Sequence, residues 1–118
     1  MPFGGPGGDI QPQAMLQVLL NHVVFAMDIQ NAIDAPRFAT HSQPNSFEPH
    51  DSYPGRLAVE SRIGSDTREA LSAKGHRVEV LPEISIGVAG VCAISADIES
   101  GLLTGGADPR RSSRAIGW

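Results

Sequence analysis

Apolar positions along the chain follow a helical period first and a strand period later, with one long interruption between them. Met15, Leu16, Leu19, Leu20, Val23, Val24 and Met27 recur at spacings of three and four. This predicts an amphipathic helix over 12–27 with Gln13, Gln17 and Asn21 on its polar side. Pro12 suits the first helical turn, and Asp9 or Gln11 is expected to cap it. Asp28 is the expected N-cap of a second, short helix carrying Ile29, Ala32 and Ile33. Pro36 stops that helix, because a residue before proline is pushed out of the α region. Arg37 to Thr40 reads as a short strand.

Residues 41–56 hold three prolines and two histidines without periodicity, so they form a long loop of the kind that serves a site or packs across a partner. Leu57 to Ser61 is a short strand. Ser65 is expected to cap a helix over 66–74, with Gly75 as its left-handed C-cap. His76 to Leu81 alternates as a strand does. Val88 to Ala96 is so uniformly small and apolar that it predicts a central strand buried on both faces. Asp97 to Gly101 turns the chain, Leu102 to Gly106 returns beside it, and Ala107 to Trp118 is a polar tail. The order is α+β with at least one antiparallel hairpin. The second face of the 88–96 strand must be covered, either by helices of this chain or by a partner.

Composition narrows the function classes. One domain over 1–118 accounts for the length, with a single core. A net charge of −4 argues against nucleic acid as the main partner. No apolar run is long enough to span a membrane. The start has neither the basic nor the apolar region of a signal peptide, so a cytoplasmic setting is expected. Cys92 is the sole cysteine and sits mid-strand, where a buried, inert thiol is expected. His22, His41, His50 and His76 are scattered without metal-ligand spacing, so neither a metal nor a cofactor is expected.

Three motifs then occur in one order. Gly4-Gly5-Pro6-Gly7-Gly8-Asp9 is followed by Gln11-Pro12-Gln13, then by Ala32-Ile33-Asp34-Ala35-Pro36-Arg37-Phe38, and at the end by Gly105-Gly106-Ala107-Asp108-Pro109-Arg110-Arg111. Together they resemble the γ-glutamyltransferase family over essentially the whole chain. The resemblance implies the C-terminal part of a small subunit, and a fragment of the αββα layered sandwich of N-terminal-nucleophile hydrolases. It implies a substrate too, a small γ-glutamyl compound taken by the full-length enzyme. In that family a precursor cleaves itself and exposes a threonine, whose α-amino group serves as base while its hydroxyl attacks the amide. The positions that match the family's oxyanion loop are Gly7 and Gly8, whose backbone N–H groups are the implied donors.

The nucleophile lies upstream of this loop in the family, and neither Met1 nor Pro2 can replace it. These residues alone are therefore expected to be inactive. Gly5 stands where many relatives carry serine or threonine, so a side-chain contact is absent there.

Two rival readings accompany this one. A non-catalytic, self-associating domain would keep the fold, and a small anion-binding module would use the Gly loop at a helix N-terminus. Either way an uncovered sheet predicts a homo-oligomer. Arg37 and Arg110 are expected to pair with carboxylates as structural ties, while Glu60, Asp66, Glu69 and Glu79 read as solvated charges.

Overall fold

The computed structural model describes residues 1–117, so Trp118, the end of the expected tail, lies outside the described residues. Two three-stranded sheets are present. The first has the order β1 (Phe3–Gly4), β5 (Cys92–Ala96) and β6 (Leu103–Gly106), all antiparallel. The second has the order β2 (Phe38–Thr40), β3 (Arg56–Glu60) and β4 (Arg77–Leu81). In it β2 runs antiparallel to β3, and β3 runs parallel to β4 through the crossover helix α3 (Ser65–Ala73). Helices α1 (Gln11–Val23) and α2 (Ile29–Asp34) lie against the first sheet.

The core sits between α1, α2 and the first sheet. Ala14 and Val18 of α1, Ile29, Ala32 and Ile33 of α2, and Ala89, Val91 and Ala93 pack there fully buried. The helix–sheet approach is close. A β-carbon on Gly106 would stand 2.7 Å from Ile33 Cδ1.

Helix α1 buries a narrower stripe than its sequence suggests and ends at Val23 rather than 27, leaving Leu16, Leu20, Val23 and Val24 exposed. Its polar side has a structural task. Gln13 and Gln17 exchange hydrogen bonds with the N–H and C=O of Thr40 and Phe38 at 2.8–3.1 Å. Four residues of helix rise about 6 Å and two of strand about 6.6 Å, so the two amides match alternate residues of β2 and close its free edge.

Several local expectations hold. Asp28 Oδ1 accepts the Asn31 N–H at 3.0 Å as the cap of α2, and Gly75 ends α3 with φ 94°. Others need correction. Gly64, not Ser65, occupies the N-cap of α3, and Ser65 lies within the helix. Asp9 does not cap α1, because its carboxylate binds Ser46. The 88–96 run is not one strand. Ile86–Val88 forms a 3-10 turn, Ala89 takes φ 62°, and the strand begins only at Cys92. Its burial alternates. Ala93 faces the helices while Cys92 and Ile94 are exposed on the outer side, so Cys92 is not a buried thiol. Small size lets this run thread a crowded turn, and the composition reports that crowding rather than two-sided burial.

Candidate functional site

The Gly-rich segment owes its shape to the segment it crosses. Leaving β1, the chain passes over 89–91, and Gly90 donates to the Pro6 carbonyl at 3.0 Å. A β-carbon at Gly5 would stand 2.1 Å from Gly90 O, which accounts for glycine there. Gly7 adopts φ 156°, and its β-carbon would stand 2.2 Å from Ala89 Cβ. Gly8 follows at φ 55°, in the left-handed region where glycine is unstrained. The Gly7 carbonyl then accepts the Ile10 N–H at 3.2 Å, and a 3-10 turn leads into α1. Among the described residues, no acceptor takes the N–H of Gly7 or Gly8. Both glycines line a cavity of about 320 Å³ whose opposite wall is the 41–53 loop.

Behind this loop lies a buried cluster of four charges. Arg37, Glu60, Asp108 and Arg110 are at most 3% exposed. Arg37 pairs with Asp108 through Nη2, and Arg110 grips Glu60 with Nε–Oε1 at 2.6 Å and Nη2–Oε2 at 2.5 Å. Arg110 Nη1 also reaches Asp108 Oδ1 at 3.2 Å. The remaining capacity goes to backbone. Carbonyls of Ile33 and Ala35, at the C-terminal end of α2, accept from both guanidiniums, an arrangement the helix dipole favours. Glu60 accepts the N–H groups of Arg37 and Ser85, each at 2.9 Å. Within the cluster only Arg37 Nε lacks a partner among the described residues.

The cluster holds the segment on which the Gly loop rests. Arg37 Nη1 donates to the Ala89 carbonyl at 3.1 Å, and Asp108 Oδ2 accepts the Val91 N–H at 2.7 Å. Ala89 is thereby fixed at a positive φ that alanine rarely adopts.

The cluster also sets its own ionisation. Burial alone would raise the Glu60 pKa, but Arg110 and the two N–H donors outweigh it and hold the carboxyl below its usual range. Burial lowers the Arg37 pKa despite Asp108. Arg110 is subject to the same burial, and Glu60 reverses the direction, so its pKa is raised.

Sequence reasoning placed Arg37 and Arg110 correctly as ties to carboxylates and missed one partner. Glu60 is not a solvated charge but the base of the cluster, fully buried at the end of β3. Its signal was a lone acid closing an apolar strand, opposite two arginines short of one carboxylate. The histidines stay apart. His22 bridges the Met27 carbonyl and Ser95 Oγ, at 2.8 and 3.0 Å. His41 lines the cavity beside Gly7 and Gly8, while His50 and His76 are exposed. Among the described residues, no three His, Cys, Asp or Glu side chains gather as metal ligands.

Comparison with known proteins gives a consistent picture. The family model described as gamma-glutamyltranspeptidase matches residues 1–118. A glutathione hydrolase-like YwrD proenzyme of Bacillus subtilis is 34% identical over 115 residues, covering 98% of this chain and 21% of its own length. An oxamate amidohydrolase proenzyme of Klebsiella pneumoniae is 31% identical over 121 residues, covering 100% of this chain and 21% of its own. The crystal structure of a cephalosporin acylase from Bacillus halodurans superposes with a TM-score of 0.82 at 30% identity, over 99% of this chain and 20% of that one. The chain thus spans about a fifth of the length of the curated relatives it matches.

Proposed function

The chain belongs to the gamma-glutamyltranspeptidase family, and from that premise we propose that its 118 residues supply the oxyanion loop of an amide-cleaving enzyme whose nucleophile they do not contain. Gly7 and Gly8 are the donors in this reading. An N-terminal threonine on another segment attacks the substrate's γ-glutamyl carbonyl and passes its hydroxyl proton to its own α-amino group. The carbonyl oxygen becomes an alkoxide, which the two N–H groups stabilise. Collapse expels the amine, which takes up the proton and leaves an acyl-enzyme. Water, or an acceptor amine, then releases the acyl group.

The observation that carries this reading is the pair of unpartnered N–H groups on glycines lining a cavity, in a loop held rigidly from behind. Donors fixed before the reaction are worth about 3–4 kcal/mol each to the transition state, because they need no reorganisation as charge develops. The Klebsiella relative is named an oxamate amidohydrolase, and the B. subtilis one is named glutathione hydrolase-like. We take the γ-glutamyl amide as the substrate class. By itself the 118-residue chain is inactive in this proposal. A chromogenic γ-glutamyl anilide tests it. The product of the complete reading frame should release the aniline and the 118 residues alone should not. Release by the 118 residues alone would contradict the reading.

One observation favours a second role beside the first. The outer face of the β1–β5–β6 sheet presents Cys92, Ile94 and Leu103 to solvent, and Ile116 of the tail is also exposed. An apolar face of that kind promotes association. In this alternative the chain is a non-catalytic domain that assembles with itself. A monodisperse monomer at high concentration by light scattering would exclude it.

A further inference from the structure

The cavity beside Gly7 and Gly8 has a wall that none of the three family-like motifs contributes. The 41–53 loop is drawn onto the Gly loop by Asp9, whose carboxylate accepts both the N–H and the hydroxyl of Ser46 at 2.6 Å. This contact sets Phe47 over the site. A β-carbon on Gly8 would stand 3.4 Å from Phe47 Cε2, yet the ring is 64% exposed and joins no core. A phenyl ring left open to water beside two unpartnered amides forgoes the burial that aromatic side chains ordinarily gain. A second ring, Tyr53, is steadied by Arg56, whose guanidinium lies 5.2 Å from its centroid.

The charges along the wall are one-sided. Among the described residues, Asp9 and Asp51 line the cavity and no lysine or arginine does. His41 adds no counter-charge at neutral pH, since burial and the nearby Arg56 lower its pKa.

We propose that the 41–53 loop forms the leaving-group side of the site, with Phe47 receiving an uncharged aromatic amine portion of the substrate and the acidic wall disfavouring a carboxylate-bearing one. This rests on the oxyanion reading of Gly7 and Gly8. A bound amide would place its carbonyl at the two N–H groups and its nitrogen substituent against the phenyl ring. A leaving group with a free carboxylate, as in a dipeptide, would meet Asp51 on this wall, while the nearby Arg56 is already engaged by Glu79 at 2.7 Å and by the Tyr53 ring.

The test uses the protein made from its complete reading frame and separates binding from turnover. Acetanilide, N-methylacetamide and 4-acetamidobenzoate are titrated with ligand-observed NMR. Acetanilide should bind about tenfold more tightly than N-methylacetamide, and 4-acetamidobenzoate more weakly than acetanilide. Phe47→Ala should abolish the preference for the ring, and Ser46→Ala, which removes one of the two bonds holding the loop to Asp9, should reduce it. Asp51→Asn should narrow the gap between acetanilide and its carboxylate analogue. Equal binding of the three probes, or a preference that survives Phe47→Ala, overturns the proposal. The kinetic arm compares a γ-glutamyl anilide with glutathione. Phe47→Ala should raise KM for the anilide relative to glutathione, and an unchanged ratio overturns the proposal. If the ring preference is present but neither substrate turns over, the catalytic reading falls and the aromatic subsite stands.

Discussion

The buried charge cluster and the Gly7–Gly8 loop meet at Ala89, and they treat their polar groups in opposite ways. In the cluster, Glu60 and Asp108 accept at both oxygens, and among the described residues all but one guanidinium nitrogen of Arg37 and Arg110 has a partner. In the loop, two N–H groups have none among the described residues. Buried ionic groups seldom add net stability, but removing one partner is costly because it strands the other. Unpartnered donors that can reach a ligand cost little until something binds, and then they act without rearrangement. The first arrangement fixes a position and the second uses it.

The largest expected effect comes from breaking the cluster. Arg110→Met should destabilise the fold by about 3–5 kcal/mol in denaturant unfolding, since it leaves the buried Glu60 carboxylate with only the part-exposed Arg62, at 3.2 Å, as a charged partner. Arg110→Lys should recover little of this, as an ammonium cannot span both Glu60 oxygens. Replacing both partners, Arg110→Met with Glu60→Leu, should cost less than Arg110→Met alone. A double variant worse than the single would show that the pair itself, not the stranded charge, sets the stability.

Next comes the joint between the two regions. Gly7→Ala drives a methyl into Ala89 Cβ and should lower kcat of the full-length product by about 10²–10³-fold. Adding Ala89→Gly removes the obstructing methyl and relaxes the positive φ, so it should restore part of the rate. Restoration separates displacement of the loop from general misfolding.

The acid limb of stability should follow Glu60. Its folded pKa lies below the unfolded value near about 4.3. Between those two values the unfolded state binds more protons, so stability rises with pH there. The contribution is fully present above the unfolded pKa and is lost as pH falls through the folded one. Glu60→Gln should therefore flatten the unfolding free energy below about pH 4 while lowering it at pH 7.

The smallest effect marks the contrast with surface charge. Arg56 pairs with Glu79 at 2.7 Å with both side chains part-exposed. Glu79→Gln should cost under about 1 kcal/mol, less so in high salt.

Much of the fold was legible in local pattern. Helices α1 and α2, the β3–α3–β4 crossover and the β5–β6 hairpin follow from periodicity and turn residues, because those signals act over a few positions. The α+β order followed from the same signals, whereas the likeness to N-terminal-nucleophile hydrolases was carried by the resemblance of the three motifs. The failures were non-local. Ala89 at φ 62° cannot be read from an apolar run, since the constraint comes from Arg37 and Asp108, far away in sequence. Glu60 looked like any exposed acid until Arg110, 50 residues on, closed over it. Asp9 was expected at a helix cap but serves Ser46 across the cavity. Of the candidate site, Gly7 and Gly8 were singled out by their motif. The loop that faces them was visible only as an interruption.

The most direct measurement removes the Gly8 N–H without changing the loop's shape. Semisynthesis of the full-length protein with glycolic acid at position 8 replaces that amide with an ester. With Gly8 as an oxyanion donor, kcat for γ-glutamyl anilide should fall by about 10²–10³-fold with KM nearly unchanged. An ester variant that turns over at the wild-type rate would contradict it.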